Sequence, residues 1–435
     1  MKRRALERIL RLMAVIVLKR YHPLVIGITG SVGKSSTKEA VYAVLSAKYF
    51  LWKSEGNYNN EIGVPLAILG TESGGASFLG WFSVGLRFLR LVLAPAKYPD
   101  MLVLEMGVDR PGDMAYLLGI APVKIGIVTR IAPSHLAYFG TVANIAREKG
   151  ALVAAVPTDG FAILNADDPR TQRMQERSKA VVLSYGFSPD AAVRADNLIF
   201  QGAEGGSGWS FKLNYDGKTL PVRLPNVLAK HQIEDALAGA AVGIALDMNL
   251  VEIASALENI VPLPGRLRTL TGRSGSMILD DTYNASPASI GAALATLGSI
   301  PARRKIAILG DMLELGSDSE TLHADLAPSL AAAGIECFIA VGVRMNLTRE
   351  TLIAEGFPAE RTLFFPDPMS AAQAAVELVR DGDLFLVKGS RGMRMEKIVE
   401  ALLRNPEDAR DVLCSQSDSW RRRSFSPPAE WEINQ

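Results

Sequence analysis

Cysteine is scarce in this chain, with two in 435 residues: Cys337 in an apolar, strand-like run and Cys414 in a polar stretch near the end. That excludes a disulfide framework and implies a reduced, cytosolic compartment. Net charge is also missing, since 47 Lys and Arg face 46 Asp and Glu. A balance of +1 gives no global reason to expect nucleic acid as a partner. Long apolar runs are absent as well. The unbroken run Leu12–Leu18 is too short for a bilayer, which needs about 20 residues. No small-residue cleavage site follows it, which argues against a signal peptide.

What is present describes a globular protein, 48% hydrophobic and 21% charged, long enough for two large domains or three smaller ones. The first 22 residues are unlike the rest. Lys2, Arg3, Arg4, Arg8, Arg11, Lys19 and Arg20 stand against a single acid, Glu7. On a helical wheel Leu6, Ile9, Leu10, Met13, Ile16 and Val17 share one face, and Arg4, Arg8, Arg11 and Lys19 lie opposite. A second amphipathic stretch, Phe78–Leu93, carries Trp81, Phe82 and Phe88 among aliphatics, with Arg87 and Arg90 on its narrow polar side. Two readings stand for residues 1–20 and 78–93: peripheral contact with the inner membrane face, or packing against the protein itself or a partner.

From Pro23 to about Pro264 strands alternate with helices: Leu24–Ile28, a helix to Ala47, Met101–Leu104, Ile125–Thr129, a helix near Ala143–Ala155, and Phe161–Leu164. Alternation of this kind predicts a mostly parallel sheet covered by helices. Residues 180–224 change to short strands around a Tyr215-Asp216-Gly217-Lys218 turn, which predicts a small antiparallel patch. Helices are expected at Gln232–Leu246 and Leu250–Glu258, followed by a hinge at Val261-Pro262-Leu263-Pro264-Gly265. Strands at Ser276–Leu279, Lys305–Leu309, Glu336–Val341 and Asp383–Val387 then predict a second, doubly wound α/β unit of Rossmann type. The expected division is a basic helix at 1–22, a nucleotide-binding domain at 23–263, a C-terminal domain at 264–404 and a mobile tail at 405–435.

The most informative local feature is Gly27-Ile28-Thr29-Gly30-Ser31-Val32-Gly33-Lys34-Ser35, set between an apolar strand and a helix. Such a turn closes backbone N–H groups around phosphate oxygens at a helix N-terminus, a lysine reaches the terminal phosphates, and a serine holds Mg²⁺. ATP or GTP is the implied ligand. Five residues rather than four separate Gly27 from Gly33, so a chance glycine turn is the competing reading. Glu105 ends the apolar strand Met101–Leu104 and can share Mg²⁺ with Ser35, or it can cap a neighbouring helix. His135, one of only four histidines, follows the strand at Ile125–Thr129 and reaches the same sheet edge. Lys149 lies mid-helix, where a lysine is ordinarily a solvated charge. Asp281 and Arg266 reach the nucleotide if the two units face each other.

These segments, taken in order, resemble the Mur ligases, and among them the MurF type. The resemblance runs through Gly27–Thr37, Asn57-Tyr58-Asn59-Asn60-Glu61-Ile62-Gly63-Val64-Pro65, Glu105-Met106-Gly107, Pro133-Ser134-His135, Glu148-Lys149-Gly150, Asn165-Ala166-Asp167-Asp168 and Gly265-Arg266. It continues through Asp280-Asp281-Thr282-Tyr283-Asn284-Ala285-Ser286-Pro287, Gly310-Asp311-Met312-Leu313-Glu314-Leu315-Gly316 and Lys388-Gly389-Ser390-Arg391. It implies a monomeric, ATP-dependent amide ligase working through an acyl phosphate. Such an enzyme adds D-alanyl-D-alanine or a similar amine to a carboxylate of a cell-wall peptide precursor. Gly30, Ser31, Gly33, Lys34, Ser35 and Ser36 would bind the nucleotide's phosphates, with Gln232 and Tyr283 near its adenine and Asp281 on its ribose. Lys34 and Arg266 would neutralise the transferring phosphoryl group. Ser35 and Glu105 would hold one Mg²⁺, and His135 with a carbamoylated Lys149 a second. Asn59, Asn60 and Glu61 would line the acceptor's wall, and Lys388 and Arg391 would lie near the amine substrate's carboxylate.

The sequence departs from the family's pattern in three places. Only the basic stretch precedes the phosphate loop, where the family carries a UDP-sugar-binding domain. His231-Gln232-Ile233-Glu234-Asp235 replaces a His-Asn-x-x-Asn helix start; Gln232 offers adenine a donor and an acceptor, whereas ionised Asp235 offers acceptors only. Ser286 and Gly392 are smaller differences. Two alternatives therefore stand beside the MurF-type reading: a ligase for another carboxylate, such as a poly-amino-acid or folate-like acceptor, and a non-catalytic nucleotide-binding partner in wall synthesis.

Overall fold

A computed structural model of the protein describes residues 3–56, 58–75, 77–133, 136–201 and 208–427. The chain forms two compact units. The first is built from residues up to Ile199, Trp209–Leu224 and Lys230–Ile260; the second runs from Val261 onward and takes in Pro225–Ala229.

The first unit is organised on nine strands: β1 (Leu24–Thr29), β2 (Leu51–Lys53), β3 (Met101–Glu105), β4 (Ile125–Val128), β5 (Phe161–Asn165), β6 (Val181–Gly186), β7 (Val193–Gln201), β8 (Gly208–Tyr215) and β9 (Lys218–Leu224). Their order is β2-β3-β1-β4-β5-β6-β7-β8-β9. The strands from β2 to β7 pair in parallel, and β8 and β9 form an antiparallel hairpin. The central strands are short and continuously apolar because helices cover both their faces. The hairpin turn is the expected one: Asp216 and Gly217 both take positive φ, 49° and 70°, matching the strand twist in a two-residue loop.

Register sets the site. Ile28 of β1 pairs with Glu105 at the end of β3, and Thr29 pairs with Val128 at the end of β4. The loop leaving β1 therefore emerges between Glu105 on one side and the β4 exit on the other. It enters helix α2 (Lys34–Ser46), whose buried face includes Thr37, Lys38, Val41 and Val44.

The basic N-terminal stretch is a helix, Arg3–Tyr21 (α1 in chain order, before α2). Its apolar residues Leu10, Ala14 and Val17 are fully buried in the core of the first unit. They share that core with α3 (Gly63–Leu69) and with Val84 and Leu91 of α4 (Phe78–Leu93). The Tyr21 hydroxyl donates to the Leu91 carbonyl at 2.8 Å and its ring stacks on Tyr98. Of the two readings left open for residues 1–20, packing against the protein holds for the face that carries Leu10 and Val17. Among the described residues no helix is long and apolar enough to cross a membrane.

The second unit carries a six-stranded sheet, β10 (Arg268–Thr271), β11 (Met277–Asp281), β12 (Arg304–Gly310), β13 (Cys337–Val341), β14 (Thr362–Phe365) and β15 (Asp383–Lys388), in the order β10-β11-β15-β12-β13-β14. Only β10 runs antiparallel. Apolar clusters on both faces of this sheet give the doubly wound architecture expected from the sequence. The mobile tail expected from residue 405 is corrected as far as residue 427. Ala409, Leu413 and Cys414 are buried, and the Trp420 indole N–H donates to Glu396 at 2.9 Å.

If α1 is part of the core, Leu10→Ala should cost about 2–5 kcal/mol, whereas Leu12→Ala at an exposed position of the same helix should stay within about 0.5 kcal/mol. Urea melts of the two variants measure the difference; equal midpoints would return α1 to a loosely held appendage.

Candidate active site

The loop after β1 has the geometry of a phosphate cradle. Gly30 adopts φ +151°, and a Cβ there would lie 1.8 Å from the Thr129 hydroxyl oxygen. Gly33 adopts φ +89° at the N-cap of α2, and its Cβ would meet Asp235 Oδ1 at 3.1 Å. Only glycine meets both demands. Three anchors hold the loop from the β4 side: Ser31 N donates to the Arg130 carbonyl, the Ser31 hydroxyl to the Ala132 carbonyl, and the Thr129 hydroxyl to the Val32 carbonyl. Gly33 provides no side-chain cap, so the first N–H groups of α2 point outward at a positive helix end.

Lys34 folds back so that Nζ donates to the Gly30 carbonyl at 3.0 Å. The Ser35 hydroxyl donates to Glu105 Oε2 at 2.8 Å, and Asn59 Nδ2 donates to Glu105 Oε1 at 3.0 Å. Glu105 is only 3% exposed, and its backbone N–H donates to the Ser54 hydroxyl. The carboxylate thus meets the phosphate-loop serine at the start of α2 through a side-chain hydrogen bond, with Asn59 on its other oxygen.

Lys149 is 2% exposed, which removes the reading of it as a solvated charge. Burial, reinforced by Lys34, lowers its ammonium from the usual lysine range to about 7, against the opposing pull of Asp109, Glu148 and Glu105. The next residue back, Glu148, accepts from the Gly112 and Met114 N–H groups, which ties the loop after β3 to the helix Val142–Ala155. Asp168 accepts from the Ile131 N–H at 2.7 Å and so fixes the start of the loop toward His135. His135 itself lies outside the described residues.

Two side chains here escaped sequence reading. Lys38, one turn beyond Lys34, is buried, donates to the Ser54 carbonyl at 2.6 Å and stands 4.0 Å from Glu105 Oε2. Burial lowers its pKa and Glu105 opposes that shift. Its i+4 spacing from Lys34 was the available signal. Thr37 donates to Asp235 Oδ1 at 2.7 Å, so one acceptor of Asp235 holds α2 in place. Gln232 is buried a turn before it on the helix Lys230–Ala245.

On the side of Asn60 and Glu61 a polar cavity of about 640 Å³ opens, lined also by Arg4, Glu7, Asp109, Arg110 and Tyr116. Asn59 is brought to Glu105 and its backbone carbonyl accepts from Gly107 N–H; Asn60 Oδ1 accepts from the Gly63 N–H at the start of α3.

Within the second unit the exits of β11 and β15 gather the remaining expected residues. The Arg266 guanidinium lies over the Tyr283 ring at 4.0 Å, and Arg391 lies 6.0 Å from the same ring and 4.9 Å from Trp420. Lys388 is buried at 2% exposure, pairs with Asp281 Oδ2 at 2.7 Å and donates to the Asn284 carbonyl. Burial pushes Asp280 up to about 6 against the donors from Thr282 and Gly265 that favour its charge. The Gly265 N–H reaches Asp280 Oδ2 at 2.9 Å, which fixes the chain just before Arg266.

Comparison with known proteins agrees with this geometry. The model of the Mur ligase middle domain matches residues 28–79 and 84–243, and that of the Mur ligase, glutamate ligase domain matches residues 265–391. The UDP-N-acetylmuramoyl-tripeptide--D-alanyl-D-alanine ligase of Escherichia coli is 31% identical over 396 residues, covering 90% of this chain and 80% of that protein. Its namesake in Bacillus subtilis is 29% identical over 402 residues, covering 91% and 79%. Among solved structures, MurF of Acinetobacter baumannii superposes with a TM-score of 0.76 at 27% identity, covering 90% of this chain and 79% of that one. MurF ligase of Thermotoga maritima in complex with ADP gives 0.72 at 25% identity, covering 93% and 84%. With its phosphate loop, its buried strand-end carboxylate and two matching domain models, this chain belongs to the Mur ligase family.

Proposed function

We propose that this protein is an ATP-dependent amide ligase of the MurF type, adding D-alanyl-D-alanine or a closely similar amine to a cell-wall peptide precursor. The observation that carries the reading is the buried Glu105 carboxylate held on the phosphate-loop Ser35. A carboxylate at that point is placed to hold the Mg²⁺ of a bound ATP beside the phosphates. In this reading residues 23–263 bind ATP and the carboxylate acceptor, and residues 264–404 receive the amine.

The donor set fits Mg²⁺. Among the described residues no cluster of three or more His, Cys, Asp or Glu is found, but Mg²⁺ takes one or two protein oxygens together with substrate phosphates and water. Ser35 and Glu105 would supply such oxygens for one ion; a Lys149 carbamate would supply oxygens, and His135 a ring nitrogen, for a second. When bound, the ions neutralise phosphate oxygens as Lewis acids. The chain's own groups do the rest. N–H groups of residues 33–35 at the start of α2 receive the β- and γ-phosphates, and Lys34 exchanges the Gly30 carbonyl for a phosphate oxygen. The acceptor's carboxylate oxygen, presented from the Asn60 and Glu61 cavity, attacks the γ-phosphorus and ADP leaves. The amine nitrogen then attacks the acyl carbon, inorganic phosphate departs, and an amide remains. Lys34 offsets the charge on the transferring group.

Incubation with UDP-muramoyl tripeptide, D-alanyl-D-alanine and ATP should give the amide product by mass spectrometry, with one phosphate released per bond. Phosphate release without any amide product refutes the ligase reading. Ser35→Ala and Glu105→Gln should each lower turnover by more than about 100-fold while leaving the melting transition in place.

Carbamate formation consumes a neutral amine, and Lys149 becomes neutral as pH rises through about 7. At constant dissolved CO₂, turnover should therefore climb across that pH, and the climb should vanish in Lys149→Ala, which short carboxylates partly rescue. An alanine variant with undiminished activity ends the carbamate assignment.

A further inference from the structure

Helix α4 is apolar on two separate faces. Val84 and Leu91 are buried, and Trp81 and Phe88 pack against the same core. Phe78, Leu79, Phe82, Leu86, Leu89 and Leu93 are exposed, between 47% and 83%. At 100° per residue these six fall within a sector of about 100°, the width of a helix face that ordinarily meets a core. Folding of the first unit leaves that sector uncovered.

Helix α1 shares the core beneath α4, and its outer face adds exposed Ile9 and Leu12. Around them stand exposed Arg4, Arg8, Arg11, Lys19 and Arg20, and Arg90 borders the α4 stripe. The exposed charged residues of the two helices are all basic.

We propose that the α1–α4 face docks this protein onto an anionic lipid surface, the α4 stripe lying in the headgroup–acyl boundary and the α1 cations among the headgroups. The pairing of an apolar helix face with cations of one sign is the chemistry of an interfacial helix. A second copy of the chain fits worse, because a symmetric contact sets the α1 cations of both copies against one another. With 16 residues, α4 lies on a bilayer rather than through it. The proposal extends beyond the ligase reading and does not depend on it, since its test requires no turnover.

The test is cosedimentation of the full chain with vesicles of phosphatidylglycerol and phosphatidylcholine in equal parts, against pure phosphatidylcholine. The protein should pellet with the anionic vesicles and bind the neutral ones at least tenfold more weakly. Phe82→Ser with Leu86→Ser and Leu89→Ser, all at exposed positions, should abolish pelleting at an unchanged melting temperature. Neutralising Arg8, Lys19 and Arg20 to glutamine should weaken binding about fivefold per cation and flatten its salt dependence. Failure of the unaltered chain to bind, or equal binding to neutral vesicles, overturns the proposal. So does a dimer in sedimentation velocity that the serine triple variant dissolves while vesicle binding persists.

Discussion

The carboxylate of Glu105 accepts hydrogen bonds from two loops at once, Ser35 on the phosphate loop and Asn59 on the segment before α3, while Lys38 stands 4.0 Å away. A buried anion must be paired or hydrogen-bonded on every side, or it takes up a proton. Satisfying it forces the phosphate loop, the β3 exit and the acceptor-side loop into one arrangement. The parallel register of β1 and β3 makes this possible, because it brings both strands to their C-terminal ends side by side. The site is therefore a property of sheet topology first and of individual side chains second.

Charge around that carboxylate is graded rather than simply balanced. Lys34 is partly exposed and donates to the Gly30 carbonyl of its own loop, a partner that a phosphate oxygen can replace. Lys38 is buried on a carbonyl and shields Glu105 from the α2 side. Lys149 is buried beyond Lys34, and burial together with the Lys34 charge lowers its ammonium. A lysine brought to about 7 is half neutral at physiological pH, and only the neutral amine reacts with CO₂. Burial thus brings Lys149 to the neutral form, the form that the proposed carbamate requires.

Much of this was legible in the sequence because strand ends and glycine turns are local signals. Leu24–Ile28, Met101–Leu104, the Asp216-Gly217 hairpin and β11, β12, β13 and β15 of the second unit lie within a residue or two of their expected places, whereas the edge strands β10 and β14 were not among those expected. Glu105 could be seen at a strand end, but its partner Asn59 is 46 residues away, and pairings at that range need the folded register. Asp235 shows the same limit: read alone it is an altered adenine contact, whereas in the fold it holds Thr37 from 198 residues away. Lys388 and Asp281 were assigned to separate ligands, yet β11 and β15 are neighbours, with Asp281 opposite Lys388 in register. The polar composition of residues 405–427 concealed a few apolar anchors, Ala409 and Leu413, that suffice to dock the segment.

Helices α1 and α4 mark the point where amphipathicity stops being decisive. A hydrophobic stripe says that a face will be covered, not by what. On α1 the stripe containing Leu10 and Val17 is covered by the protein, and the cations opposite it remain at the surface. On α4 the inner stripe is covered in the same way, and a second one is left over. Six exposed apolar side chains on one helix face carry a solubility cost that the fold alone does not require. Because α1 also lends Arg4 and Glu7 to the polar cavity beside Asn60 and Glu61, the helix that faces outward with its cations borders the acceptor side of the site. In the proposed ligase, a surface that positions α1 would also set the direction from which a carboxylate acceptor approaches Glu105.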